Sequence, residues 1–179
     1  MSMDDHPNET SDKTAETPGK PEKQRPLRFI GSYSHSLDTK GRLVIPQTFR
    51  EKLGERFCVA PSLDFKSIAI YPEEKWEKRN EVYENLGSLD PALNEYLEEF
   101  YALSYDDQAC DGQGRILLPA NIRQKILGEE RDVEITGAND HIRVVAETVS
   151  RDSWTQFRSR LPELLEMIAG LEKKGIPEG

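Results

Sequence analysis

Asp38-Thr-Lys-Gly-Arg42-Leu-Val-Ile-Pro46-Gln-Thr-Phe-Arg50-Glu-Lys52 returns as Asp111-Gly-Gln-Gly-Arg115-Ile-Leu-Leu-Pro119-Ala-Asn-Ile-Arg123-Gln-Lys125, every matched position displaced by 73 residues. Asp, Gly, Arg, Pro, Arg and Lys match outright, and Leu43-Val44-Ile45 answers Ile116-Leu117-Leu118. One structural unit is therefore carried twice on the chain. Within each copy, Asp-x-x-Gly-Arg reads as a tight turn opening a short strand. The proline that follows suits the first turn of a helix, where a missing N–H costs nothing. Phe49 with Leu53, and Ile122 with Ile126, give each helix one apolar side at i, i+4; Gly54 ends the first.

Working outward, strands are expected at Leu27–Ile30 and Arg42–Ile45 before the first helix, and at Phe57–Ala60 and Ser67–Tyr71 after it, a ββαββ order. The second copy repeats that order with Arg115–Leu118, Asp132–Ile135 and His141–Val145, its own first strand falling within Ser104–Ala109. Between the copies Glu73–Leu86 and a segment from Asp90-Pro91 to Tyr101 predict two linking helices. Their buried side would be Trp76, Val82, Tyr83, Leu86, Leu93, Tyr96, Leu97, Phe100 and Tyr101. A last helical region, Asp152–Lys174, is expected to be interrupted at Pro162, with Trp154, Phe157 and Leu161 on one side. Trp76 and Trp154 each follow the last strand of a copy, and both are read as core.

These elements divide the chain into a tail at 1–27, a first unit at 28–79, linking helices at 80–103, a second unit at 104–152 and a helical extension at 153–179. The tail holds Pro7, Pro18, Pro21 and Pro26 among charged and hydroxyl residues, and is expected to be disordered. The fold class is α+β and β-rich.

The 179 residues carry a net charge of −9 and are 36% hydrophobic, enough for a modest core. Charge is uneven. Residues 61–109 hold twelve acidic against four basic side chains (−8), whereas 28–60 hold three against six (+3) and 110–127 one against three (+2). Screening confines each field to about 8–10 Å at physiological salt, so locally basic loops on an acidic body can still engage a polyanion. No apolar run approaches the roughly 18 residues that would span a bilayer, and the first 27 lack a secretory apolar block, so a cytoplasmic location is expected. Cys58 and Cys110 lack C-x-x-C spacing and read as small core residues. His6, His35 and His141 form no metal-ligand pattern, and no cofactor motif is present. An enzyme would have to use Asp38 and Asp111 as paired carboxylates, but no nucleophile with a neighbouring base accompanies them.

The repeated turn projects charged side chains near its tip. An arginine fork can bond guanine O6 and N7 together, and Lys40 would add a point charge for phosphate. Asp38 with Arg42, and Asp111 with Arg115, could equally be internal pairs that rigidify the turn; a carboxylate pinning the guanidinium would preorganise it for a ligand. Arg50 and Arg123 suit solvent, a pairing role or phosphate contact, Arg28 joins them as a phosphate-contact candidate, and Lys52 and Lys125 are read as solvated.

Four stretches together resemble the MraZ family, built from two tandem SpoVT/AbrB-type units: Phe29-Ile-Gly-Ser-Tyr33, Leu37-Asp-Thr-Lys-Gly-Arg-Leu-Val-Ile-Pro46, Ile70-Tyr-Pro-Glu-Glu-Lys-Trp76 and Asp111-Gly-Gln-Gly-Arg-Ile-Leu-Leu-Pro119. The likeness runs from about Phe29 to Trp154. It implies two pseudo-symmetric, interleaved ββαββ units of swapped-hairpin type, and a ring-shaped homo-oligomer of eight or twelve subunits. It also implies a nucleoid-associated repressor that binds spaced short repeats in double-stranded promoter DNA, at the division and cell-wall gene cluster and its own promoter. Asp38, Lys40, Arg42, Asp111 and Arg115 would then face DNA, with Arg42 weighted above Arg115 because Gln113 replaces Lys40 in the second loop. Two rival readings are a dimeric AbrB-like repressor or antitoxin acting at a single site, and an oligomeric scaffold that binds protein through the acidic helices at 73–101. The tail before Leu27 and the region after Thr155 depart from the family pattern.

Overall fold

The computed structural model describes residues 28–87 and 90–173, except the side chains of 86, 87, 172 and 173; the expected disorder of the tail and the burial of Leu86 lie outside them. The chain runs β1 (Ser32–Ser36), β2 (Arg42–Val44), α1 (Gln47–Leu53), β3 (Phe57–Pro61), β4 (Ile68–Pro72), α2 (Glu73–Gly87), α3 (Pro91–Ala102), β5 (Tyr105–Gln108), β6 (Arg115–Leu117), α4 (Ala120–Leu127), β7 (Asp132–Gly137), β8 (Ile142–Ala146) and α5 (Glu147–Lys173). The architecture is α+β and β-rich, as the pattern predicts.

Strand order exposes the symmetry. A six-stranded antiparallel sheet runs β1-β7-β8-β4-β3-β5, and β2 pairs with β6 in a separate ribbon. Exchanging the copies (β1 for β5, β7 for β3, β8 for β4) reads the sheet backwards unchanged. Each copy thus lends its first strand to the other's third, and neither can bury its apolar face alone. The register agrees: Arg42 faces Leu117, Leu43 faces Ile116 and Val44 faces Arg115, so Leu43 and Ile116 sit on the pseudo-dyad.

Alternation along the strands sends side chains to two faces. Phe57, Val59, Ile68, Ile70, Val133, Ile135, Ile142 and Val144 meet Leu43, Ile45, Phe49, Leu53, Ile116, Leu118, Ile122 and Leu127 from the ribbon, α1 and α4 in the main core. The alternate residues Cys58, Ala60, Ala69 and Tyr71 meet Trp76 and Phe100 beneath α2 and α3. Because both faces are covered here, β3 is buried along its whole length. Burial also pushes the Cys58 thiol up to about 12, which suits an inert core residue. Asp90 caps α3 by accepting from the Ala92 N–H at 2.7 Å.

Four expectations need correction. The first strand lies at Ser32–Ser36 and not at Leu27–Ile30: Phe29 makes only an isolated bridge to Asn139, and Gly31, at φ 115°, turns the chain into the strand. α5 begins at Glu147 and continues through Pro162, since a proline on an exposed stretch can bend a helix without ending it. Trp154, Phe157 and Leu161 are 59%, 41% and 37% exposed, so they are not core. Val82 and Tyr101 are likewise exposed, whereas Trp76, Leu97 and Phe100 are buried as expected.

Candidate nucleic-acid interface

Each Asp-x-x-x-Arg loop is a turn closed from inside by its own carboxylate. Asp38 Oδ1 accepts the backbone N–H groups of Lys40 and Arg42, both at 2.9 Å, and Oδ2 accepts Arg42 Nε at 2.6 Å. In the second copy Asp111 Oδ1 accepts from Gln113 and Arg115, both at 2.9 Å, while Oδ2 takes Arg115 Nε at 2.8 Å and Nη2 at 2.7 Å. The internal-pair reading is thus realised twice.

Both carboxyls are held down at about 2. For Asp38 the leading cause is the Arg42 backbone N–H, followed by the guanidinium, and together they outweigh partial desolvation. For Asp111 the guanidinium of Arg115 leads and the backbone N–H follows. Each arginine is fixed at its Nε side, and its side chain stays 30% exposed at Arg42 and 25% at Arg115. Lys40 and Gln113 stand exposed at the loop tips.

The ribbon adds something the sequence reading overlooked. Residues at i and i+2 share a face, so Arg42 and Val44 on one strand lie beside Leu117 and Arg115 on the other. Val44 is 43% and Leu117 56% exposed, although each is the central residue of an apolar triplet. The available signal was the alternation itself: the outer members of each triplet, Leu43 with Ile45 and Ile116 with Leu118, are buried, which turns the central residue outward.

Arg50 and Arg123 cross between the copies. A Cβ on Gly41 would fall 1.2 Å from Arg123 Nη1, and one on Gly114 2.0 Å from Arg50 Nη1. Each buried loop glycine, at φ 77° and 74°, therefore makes room for the helix arginine of the opposite unit as well as for the turn. Arg123 Nη1 donates to the Lys40 carbonyl at 3.4 Å, whereas Arg50 Nε is buried without a hydrogen-bond partner. Both guanidinium groups are brought against the loops. Arg28 is exposed, and its carbonyl accepts Lys52 Nζ at 2.8 Å, so Lys52 ties α1 to the chain entering the sheet and is not merely solvated. Lys125 approaches Glu99 at 3.8 Å.

The ribbon and the acidic α2–α3 layer lie on opposite faces of the sheet, because alternate residues of β3 and β4 serve one or the other. No group of His, Cys, Asp or Glu suited to a metal ion occurs among the described residues, and no described helix is long and apolar enough to cross a membrane.

Strand exchange, a ribbon on the pseudo-dyad and two inwardly braced arginines together define a tandem swapped-hairpin protein. Residues 28–92 match the family described as "MraZ protein, putative antitoxin-like". A relative in Lachnoclostridium phytofermentans is 36% identical over 126 residues, covering 70% of this chain and 84% of the relative. Another, in Desulfitobacterium hafniense strain Y51, is 31% identical over 143 residues, 80% of this chain and 98% of the relative. A third, in Acetivibrio thermocellus, is 37% identical over 116 residues, 65% of this chain and 79% of the relative. All three are named "Transcriptional regulator MraZ". The chain belongs to the MraZ family.

Proposed function

We propose that this protein is a transcriptional regulator that binds double-stranded DNA in a sequence-specific manner. It acts as a repressor of the division and cell-wall gene cluster, including its own promoter. The observation that carries this reading is the outer face of the β2–β6 ribbon. There Arg42 and Arg115, each braced by its own carboxylate, flank the exposed Val44 and Leu117. The major groove admits a two-stranded ribbon; arginine forks read guanine edges and small aliphatic side chains meet thymine methyl groups. Lys40 supplies a phosphate contact, and Arg50 and Arg123 support the loops from beneath while keeping positive charge near the backbone of the nucleic acid.

Electrostatics set the approach. The net −8 of residues 61–109 sits largely in the α2–α3 layer, on the sheet face away from the ribbon, so a polyanion is attracted from one side and repelled from the other. A single ribbon with so few cations binds weakly. Assembly into a ring of eight or twelve subunits, acting on spaced direct repeats, would raise apparent affinity by about 10²–10⁴ without new contacts. Such a regulator works in the cytoplasm, on the nucleoid.

The decisive experiment measures binding of Arg42→Ala to DNA from upstream of the protein's own gene, across a salt series, with the mass of the assembly followed in parallel. Affinity should drop at least about fivefold at unchanged mass, as expected if each lost fork contributes about 1–3 kcal/mol of base discrimination. An unaltered salt-dependent curve would remove the ribbon from the interface.

A further inference from the structure

α2 lies in the most acidic part of the chain, yet its cations are gathered on one side. Lys75, Lys78 and Arg79 are three of the four basic residues between 61 and 109, and all three line one cavity. Helical spacing explains the grouping. Positions i, i+3 and i+4 share a face, and Val82 and Tyr83 continue it at i+7 and i+8. The remaining wall is Asp140, which comes from the turn between β7 and β8 and so from the other copy. The cavity measures about 350 Å³, at the small end of the range for ligand sites.

Internal pairing leaves this charge available. Arg79 Nη1 donates to the Tyr83 hydroxyl at 3.2 Å, and its guanidinium lies over the Tyr71 ring, 4.8 Å from the centroid. These contacts fix the group without neutralising it. Its carboxylate partner is remote: Nη2 stands 3.5 Å from Asp140 Oδ2, against about 2.7–2.9 Å for a well-made charge-assisted bond. Asp140 Oδ1 is engaged instead by His141 Nδ1 at 2.7 Å. Lys75 is half-buried and makes no hydrogen bond or salt bridge with another described residue. Lys78 pairs with Glu74 at 2.6 Å, but both side chains are more than half exposed, and such a pair yields readily to another anion. Beside the charges, Val82 is 55% exposed and Tyr83 half-buried, which gives the cavity an apolar wall as well as a cationic one.

We propose that this cavity binds a small phosphate monoester with an aromatic or aliphatic body. Three cations against one carboxylate leave two positive charges in the lining, which match the near-dianion that a phosphate monoester carries at neutral pH. The Arg79 fork and the two ammonium groups take its oxygens, while the body lies on Val82 and Tyr83. A carboxylate carries too little charge, and a bare phosphate leaves the apolar wall in water. Because α2 follows the first copy and Asp140 belongs to the second, the bound molecule ties the two units together and raises the unfolding temperature of the chain. The site is separate from the ribbon, since α2 and α3 cover the other face of the sheet.

The test titrates phenyl phosphate into the full chain by isothermal calorimetry at constant ionic strength. Saturable binding of one molecule per chain is expected. Inorganic phosphate, which lacks the ring, and benzoate, which has a single charge, should each bind at least about tenfold more weakly, the loss expected of one buried ring or one charge-assisted contact. Lys75→Gln with Lys78→Gln should weaken phenyl phosphate by at least about tenfold. Val82→Asp should abolish binding by setting a carboxylate against the phosphate, and the exposure of Val82 lets the fold survive, which circular dichroism checks. Absence of saturable binding, equal affinity for either control, or full affinity in either folded variant overturns the proposal. A chain that fails these titrations but still binds its promoter DNA loses this site and keeps the ribbon.

Discussion

The two copies begin alike and finish differently. Trp76 and Trp154 both sit early in the helix that follows the last strand of a copy, yet Trp76 is 5% exposed and Trp154 59%. The cause is what comes next. α3 packs against α2, so that Phe100 stacks on Trp76 at 6.0 Å between ring centroids. After Trp154 the same helix continues to Lys173, and the stacked partner of Trp154 is Phe157 of that helix at 5.4 Å. Trp76 is the fourth residue of its helix and Trp154 the eighth, so they are not the same position of the repeat. The duplication specifies the strands and loops, while burial beyond its boundary depends on the neighbour the chain happens to supply.

The largest effect expected from this contrast is on stability. Trp76→Ala removes a large side chain packed among Tyr71, Phe100 and Tyr101, and should cost about 3–5 kcal/mol. Trp154→Ala should leave unfolding of the sheet core within about 0.5 kcal/mol of the parent. Chemical denaturation followed by circular dichroism measures both. Equal losses would mean that α5 is as integral to the core as α2.

The contrast at the loops is subtler. Arg42 and Arg115 share one geometry, but Lys40 accompanies only the first. Arg42→Ala should therefore weaken DNA binding more than Arg115→Ala, each by about 1–3 kcal/mol per ribbon engaged. Fluorescence anisotropy with one operator fragment would rank them. Equivalence would place the pseudo-dyad at the centre of the complex, with both strands reading alike.

Much of this was legible in the sequence because it is local. The Asp-x-x-Gly-Arg turn, the proline ahead of α1 and α4, and the apolar i, i+4 pairs each declare themselves within a few residues. β1 did not, because Ser32–Ser36 is an edge strand with only Tyr33 and His35 half-buried, and it carries no apolar alternation. Exchange of strands between the copies is equally silent, since β1 finds β7 a hundred residues away. For the same reason the contact of Arg50 with Gly114, and of Arg123 with Gly41, could not be read from neighbours. Glycine and arginine repeat at the same offset in both copies, but only the interleaved topology reveals that they meet. The shared side of Trp154, Phe157 and Leu161 is legible in their spacing, but their exposure is not, because it depends on what the rest of the chain packs against them.

Acid should separate the loops from the rest of the fold. Asp38 and Asp111 have carboxyls lowered from 3.8 to about 2, so the stability they contribute is fully present above about pH 4 and is lost only as pH falls through about 2. Carboxyl NMR titration should show both midpoints well below those of exposed aspartates. A midpoint near 4 for either would mean that its arginine is not held. Asp38→Asn keeps an oxygen for the Lys40 and Arg42 N–H groups but loses the negative charge that holds the Arg42 guanidinium, so its effect on DNA affinity should be smaller than that of Arg42→Ala.

The smallest expected change is the most specific. Lys40→Gln makes the first loop resemble the second, and Gln113→Lys does the reverse. If Lys40 contacts phosphate, its loss should reduce the slope of log affinity against log salt by about 0.9 per engaged ribbon, with little change in sequence preference. Gln113→Lys should steepen that slope by a similar amount, provided the second loop lies as near the backbone as the first. A slope moved by Lys40→Gln but not by Gln113→Lys would mean that the ribbon docks tilted, with its first loop toward phosphate and its second toward solvent. The duplicated frame would then be symmetric in structure but not in use.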